Sequence, residues 1–204
     1  MFLLIVSVAI AAASGSALEL AREFAAAGEA TDAIAMYREV VAASPKTASA
    51  RYELGGLLLK HSITHAVGDG KLSLSDAARR DVEEARKHLR VARELRPRRA
   101  EIAVALAISL CQPPWPGITG REEAVRLFSE AASATASGAA LEPERLAEVA
   151  TMGGEAAMAL GDTAVALALY TEAAAKGPDP IAAALGIAKI YLVLGAPADA
   201  GQVL

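Results

Sequence analysis

The sequence predicts an all-α fold. Alanine, which has the highest helix propensity, supplies 50 of the 204 residues. Aromatic residues, which favour strands, make up only 4%. Apolar residues of defined size also recur at a period near 34 residues, the length of one helix pair in several helical-repeat folds. The content of 54% hydrophobic and 22% charged residues is typical of a folded chain. We therefore expect one array of paired helices.

Residues 1–15 form a distinct apolar segment. Phe2 to Ala13 make an uncharged run of 12 residues, shorter than the roughly 20 that a membrane-spanning helix needs. The run has the length of a signal-peptide core, and Ala11 and Ala13 have the spacing that a signal peptidase reads, although no Lys or Arg precedes them. Two interpretations stay open: a signal peptide, or an apolar helix that packs under the first repeat.

The compartment depends on which interpretation holds. Removal of the segment predicts an exported protein, whether secreted, periplasmic or in the lumen of the endoplasmic reticulum, and retention predicts a cytoplasmic one. Ser16 and Glu19 have the spacing of a capping box, so we expect the repeat domain to begin with a helix at residue 16 and to extend to 204. The single cysteine, Cys111, excludes a disulfide within the chain.

The first repeat covers residues 14–47. Its small and large apolar residues have a characteristic spacing, which runs through Ala17, Leu20, Ala21, Phe24, Gly28, Ala33, Tyr37, Val40 and Pro45. Small side chains let two antiparallel helices cross closely, the large residue at position 24 of the repeat, Tyr37, fills the gap beside them, and the proline ends the second helix.

The same frame returns four times. The second repeat, 48–99, carries about 18 additional residues between Leu59 and Ala85. The remaining repeats are 100–140, with about five additional residues around Cys111 to Gly120, then 141–180, and the incomplete 181–204. In the fourth repeat, Asp162 follows a glycine and is a candidate helix cap.

These spacings together resemble the tetratricopeptide repeat (TPR) family. The resemblance implies a right-handed α-α superhelix of four to five helical hairpins, in which the first helix of each pair lines a concave groove. It also implies a non-catalytic scaffold that binds a peptide or a partner protein in that groove. Two other functions stay open: the N-terminal, substrate-binding region of a larger secreted enzyme truncated at residue 204, and a structural subunit of a membrane-associated assembly.

The resemblance assigns groove positions to residues of each first helix. The predicted groove residues are Arg22, Tyr52, Leu59, Lys60, Val104, Ile108, Glu148, Thr151, Glu155, Met158 and Lys189. They form a mostly apolar strip with charges at its edges, which suits an apolar segment of another protein.

Two further features are candidates for specific chemistry. His61, His65 and Asp69 have a spacing that zinc accepts, but no glutamate accompanies them as in a helical zinc-protease motif, and two exposed histidines at a helix end are the alternative. Trp115 lies in a proline-rich loop, where it either contacts a ligand or fills the gap between the two helices of the third repeat.

Several classes of protein are excluded. The net charge of −4 arises from acidic and basic residues spread along the chain, so no basic surface is expected and nucleic acid is not a predicted partner. No glycine-rich phosphate loop and no nucleophile, base and acid set is present, so we predict neither an enzyme nor a cofactor. Membrane contact is expected only if residues 1–15 are retained.

Overall fold

The structure is a computed structural model that describes residues 2–64, 75–112, 117–133, 141–178 and 180–204, with the side chains of residues 2–14, 63 and 64 outside that description. Over these ranges the regular secondary structure is α-helical, so the predicted all-α class is confirmed. The chain divides into two compact units, which we call unit 1 (Met1–Pro97) and unit 2 (Arg98–Leu204).

The described residues of unit 1 form two helix pairs. They are α1 (Phe2–Ala27) with α2 (Ala30–Ala43), and α3 (Ala48–Thr64) with α4 (Asp76–Leu95). α2 packs against both α1 and α3, and α3 packs against α4. Part of the insertion predicted in the second repeat extends these helices, because α3 continues beyond Leu59 and α4 begins before Ala85.

Three helix pairs make up the part of unit 2 that the structure describes. They are α5 (Ala100–Leu110) with α6 (Gly117–Ser133), α7 (Pro143–Leu160) with α8 (Thr163–Lys176), and α9 (Ile181–Val193) with α10 (Pro197–Val203). Each helix packs against the next one along the chain, α6 also contacts α8, and α7 also contacts α9. Each pair thus buries its apolar face against the following pair, as in a helical-repeat solenoid.

α1 continues without interruption through Ser16. The expectation that a helix begins at the Ser16 and Glu19 capping box is therefore wrong. Alanine- and leucine-rich residues flank Ser16 on both sides, and the helix that they favour gives its backbone N–H groups partners without a cap. Among the described residues, none of the helices is both long enough and apolar enough to cross a membrane. The signal peptide stays a prediction.

The turn from α7 to α8 explains how a repeat reverses direction. Gly161 has a φ of +79°, which glycine adopts at no steric cost, and the N–H of Asp162 donates to the carbonyl of Ala157 at 3.0 Å. The carboxylate of Asp162 then accepts from the N–H of Val165 at 3.1 Å, so the predicted cap is confirmed. Gly28 and Gly195 make the corresponding turns in the first and last repeats.

Glycines make the close helix crossings. A Cβ atom added to Gly55 of α3 would lie 2.6 Å from Cγ of Leu89 on α4. In unit 2, a Cβ at Gly153 would lie 2.8 Å from Cβ of Phe128. Leu89 and Phe128 hold position 24 of their repeats and are fully buried. The predicted packing of a large residue at position 24 against small residues is therefore present in both units.

Candidate functional site

Two clefts on unit 2 are lined by residues that the structure describes. The first cleft has a volume of about 390 Å³ and lies between α5, α6 and α7. Its described lining is mainly apolar and consists of Ile108, Cys111, Gln112, Arg121, Phe128, Met152, Glu155, Ala156 and Ala159. A site of this kind favours an apolar side chain and offers a few polar groups to orient it.

The second cleft, of about 490 Å³, lies beside α5, α7, α8 and α9. Its described lining combines small apolar residues with charged ones from α7: Ile108, Glu144, Arg145, Ala147, Glu148, Thr151, Met152, Ala173, Gly177, Pro178, Ala182 and Ala183. Arg145 donates to Glu148, so these two charges largely neutralise one another.

Ile108 and Met152 line both clefts. The two clefts are therefore neighbours, separated by one apolar side chain from α5 and one from α7. A ligand long enough to cross this divide can place a side chain in each cleft and cover Ile108 and Met152 between them, which removes their apolar surface from water.

Four of the predicted groove residues lie in these clefts. Ile108 belongs to both, Glu155 to the first, and Glu148 and Thr151 to the second. Lys189 of α9 is exposed and lines neither cleft. Met158 is partly buried and packs against the core of unit 2.

Two predicted groove residues are part of the packed interior. Val104 is 2% exposed and Leu59 is 7% exposed, so neither side chain offers appreciable surface to a ligand. The physical reason is that the first helix of a pair packs against neighbouring helices on two sides, so apolar side chains near the groove-facing stripe are drawn into the core.

The sequence reasoning did not assign Met152 to the groove. The signal was present, because Met152 lies four residues after Glu148 and three before Glu155 and therefore shares their face of α7. Glu144, four residues before Glu148, lies on this face as well.

The predicted groove residue Arg22 in unit 1 forms an ion-pair network. Its Nε and Nη2 donate to both carboxylate oxygens of Glu53 at 2.8 and 2.6 Å, and Nη1 donates to Glu19 at 2.7 Å. The hydroxyl of Tyr37 donates to Glu53 at 3.0 Å. Burial, together with this hydrogen bond, raises the pKa of Tyr37 well above its ordinary value. Arg22 thus connects α1 to α3, a structural role, while Tyr52 is half-buried and Lys60 is exposed.

A second polar network joins α2, α3 and α4. Arg38 donates to both oxygens of Glu84 at 2.8 and 2.7 Å, which lowers the pKa of Glu84. His88 Nε2 lies 3.6 Å from Glu84, and His88 Nδ1 is 3.0 Å from Nη1 of Arg51. Because a guanidinium only donates, Nδ1 is the acceptor and the proton lies on Nε2. Burial and the charge of Arg51 lower the pKa of His88.

The structure shows only one member of the candidate metal set. His61 Nδ1 lies 2.8 Å from Oδ2 of Asp81, which pairs α3 with α4, and His65 and Asp69 lie outside the described residues. Over the part of the chain that the structure describes, no three His, Cys, Asp or Glu side chains are grouped closely enough to hold a metal ion. Trp115 also lies outside the described residues, although Cys111 and Gln112, just before its loop, line the first cleft.

The repeats and the fold place the chain among known proteins. The family model described as "Tetratricopeptide repeat" matches residues 18–62 and 151–204. The resemblance to the TPR family predicted from the repeat spacing is therefore confirmed over these two stretches, which together contain 99 of the 204 residues. A comparison with curated protein sequences gives no match.

Solved structures of TPR proteins have the same fold. A crystal structure of MamA matches with a TM-score of 0.72 at 16% identity, over 93% of this chain and 87% of MamA. YrrB, described as "a TPR protein with an unusual peptide-binding site", matches with a TM-score of 0.69 at 14% identity, over 92% of this chain and 80% of YrrB. PilW, described as a type IV pilus biogenesis factor, matches with a TM-score of 0.62 at 18% identity, over 94% of this chain and 74% of PilW. At these identities the likeness concerns the fold.

Proposed function

We propose that this protein is a non-catalytic scaffold that binds a peptide segment of a partner protein in the two clefts of unit 2. The observation that carries the proposal is the pair of adjoining, mainly apolar clefts that share Ile108 and Met152. The peptide-binding site named for YrrB supports the choice of ligand, because the two chains share a fold.

The mechanism is equilibrium binding to a preformed surface. The clefts lie between helices that are held by a packed core, including Phe128 at 1% exposure. The protein therefore loses little conformational freedom on binding, and the ordering cost falls mainly on the peptide. Apolar side chains of the peptide that enter the clefts supply the favourable free energy, about 25 cal/mol per Å² of apolar surface buried.

A displayed library of random twelve-residue peptides tests this function. Peptides selected on the full chain are expected to bind Ile108→Asp at least tenfold more weakly, because a carboxylate then stands at the divide between the two clefts and resists desolvation. The matched control is Ile118→Asp, since Ile118 is 70% exposed, lies in the first turn of α6 and lines neither cleft.

Circular dichroism melting of both variants separates loss of binding from loss of fold. Ile108→Ala provides a second, uncharged test, with an expected weakening of about three- to tenfold from lost apolar contact. Selected peptides that bind wild type, Ile108→Asp and Ile108→Ala with equal affinity would show that the clefts are not the binding site.

A further inference from the structure

The cleft-facing side of α7 carries a row of carboxylates. Glu144, Glu148 and Glu155 line the clefts. At 100° per residue they lie within about 40° of one another around the helix, and they extend over about 16 Å along it. Thr151 and Met152 lie between them on the same face, so the acidic row runs beside the apolar surface that the clefts offer.

Two of these carboxylates have no ion-pair partner among the described residues. Glu148 is paired with Arg145, whereas Glu144 and Glu155 form no ion pair with another residue of the described chain and are exposed to solvent. Over both clefts the described lining contains three carboxylates against the guanidinium groups of Arg121 and Arg145. A surplus of negative charge therefore remains at the rim.

The charge of the whole unit has the same sign. Unit 2 contains seven basic and twelve acidic residues, a net charge of −5, whereas unit 1 contains thirteen basic and twelve acidic residues, a net charge of +1. The acidity of the protein is thus concentrated in the unit that carries the clefts. Such a field raises the association rate of cationic ligands and disfavours anionic ones.

We propose that the ligand of these clefts is a basic, aliphatic peptide segment whose apolar side chains enter the clefts on either side of Ile108 while Lys or Arg side chains pair with Glu144 and Glu155. This inference rests on the proposed function and specifies its partner. In an extended segment, which advances about 3.3 Å per residue, the two basic side chains are about five residues apart.

The test uses the same displayed library and the full chain. Selected peptides are expected to be enriched in Lys or Arg together with Leu, Ile, Val or Met. Synthetic copies are expected to bind the double variant Glu144→Gln with Glu155→Gln about three- to tenfold more weakly than wild type, because an exposed ion pair contributes about 0.2–1 kcal/mol. The affinity for wild type is expected to fall between 50 and 500 mM salt, and this salt dependence is expected to be weaker for the double variant.

The matched control removes the same charge elsewhere. Glu94 and Glu122 are exposed, and neither lines a cleft. The variant Glu94→Gln with Glu122→Gln therefore changes the net charge equally and is expected to bind the selected peptides within twofold of wild type. An equal loss in both double variants would show that net charge alone, rather than the acidic row on α7, sets the affinity, and would overturn the proposal.

The outcomes separate this inference from the function on which it rests. Peptides whose binding depends on Ile108, but which lack basic residues and bind the Glu144 and Glu155 double variant normally, would leave the scaffold function standing and overturn the basic ligand. A library that yields no Ile108-dependent peptide would overturn both.

Discussion

Tyr37 in unit 1 and Tyr170 in unit 2 hold the same position of their repeats and are both buried, at 3% and 4% exposure. Their neighbours at position 6 of the next repeat differ. Tyr37 meets Glu53, to which its hydroxyl donates at 3.0 Å. Tyr170 meets Gly186, where an added Cβ would lie 2.5 Å from the ring. One repeat position therefore supports two kinds of helix contact, one polar and one of close packing.

The difference extends to the whole of each unit. Unit 1 links its helices through ion pairs and hydrogen bonds, among them Arg22 with Glu53 and Arg38 with Glu84. The core of unit 2 is made mainly of alanine, leucine, isoleucine and valine, together with the rings of Phe128 and Tyr170. We therefore expect the contact of Tyr170 in unit 2 to be sensitive to added volume, and the contact of Tyr37 in unit 1 to be sensitive to the loss of a hydrogen bond. The polar networks of unit 1 are also expected to make its stability depend on pH.

The largest expected effect on the free energy of unfolding is that of Gly186→Ala. Tyr170 is enclosed between Gly186 and Gly154, whose added Cβ would also lie within 2.8 Å of the ring, so the ring has little room to move. Overpacking costs about 1–3 kcal/mol, and the higher helix propensity of alanine offsets about 1 kcal/mol. We expect a net loss of up to about 2 kcal/mol in the free energy of unfolding, measured by urea denaturation.

Gly56→Ala is the control for this prediction. Gly56 lies within α3, and a Cβ added there meets no atom within 4 Å. The same change of residue is therefore expected to stabilise the protein by up to about 1 kcal/mol. A Gly186→Ala variant as stable as Gly56→Ala would show that the ring of Tyr170 does not require the glycine.

A smaller effect is expected for Tyr37→Phe. The change removes the hydroxyl that donates to Glu53 and leaves the carboxylate with Arg22 as its partner. A hydrogen bond to a charged group contributes about 1.5–3 kcal/mol when buried, and partial exposure of Glu53 at 23% reduces this. We expect a loss of about 1 kcal/mol in urea denaturation.

The matched change is Tyr170→Phe. The described residues give the hydroxyl of Tyr170 no hydrogen-bond partner, so the free energy of unfolding is expected to change by less than about 0.5 kcal/mol. Equal losses for the two tyrosines would contradict the distinction between the polar contact and the packed one.

The smallest expected effect is a change in pH dependence, and it belongs to unit 1, which contains all three histidines of the chain. The pKa of His88 is lowered by burial and by Arg51, so the unfolded chain binds more protons between the lowered pKa and the ordinary value near 6.5. The free energy of unfolding therefore falls as the pH drops below about 6.5. Arg38 and Glu84 contribute at lower pH, because the pKa of Glu84 is lowered from 4.5.

His88→Asn isolates this contribution. The amide oxygen of asparagine can accept from Arg51 in place of Nδ1 but does not titrate. Thermal melting between pH 8 and pH 5 is expected to show a shallower fall in the midpoint for the variant than for wild type. An identical fall in both proteins would assign the pH dependence to a group other than His88.

The sequence was sufficient to predict the repeat architecture and the turns between helices. The size and spacing of Tyr37, Phe128 and Tyr170 indicated which residues fill the helix crossings, and the glycine before Asp162 marked the end of a helix. These features are local or periodic, so they can be recognised without knowing which helices meet.

The candidate site was predicted less well. Ile108 and Glu155 line a cleft, but the groove assignment included Val104, which is buried.

The prediction that a helix begins at Ser16 was wrong because the sequence pattern there fits two structures. A capping box satisfies N–H groups at a helix start, but a helix that continues satisfies them equally well. The sequence pattern therefore allows both outcomes, and the residues on either side decide between them.

By itself the sequence determined that the chain is α-helical and that its repeats resemble those of the TPR family, because helix propensity, glycine turns and the periodic small residues act over one or two helices. Only the tertiary structure decided which faces of α5 and α7 bound a cleft, that Glu53 and Gly186 give equivalent tyrosines different environments, and that Arg22 is engaged by Glu53. These outcomes depend on contacts between residues far apart in the chain, and their geometry is set by helix packing rather than by local sequence.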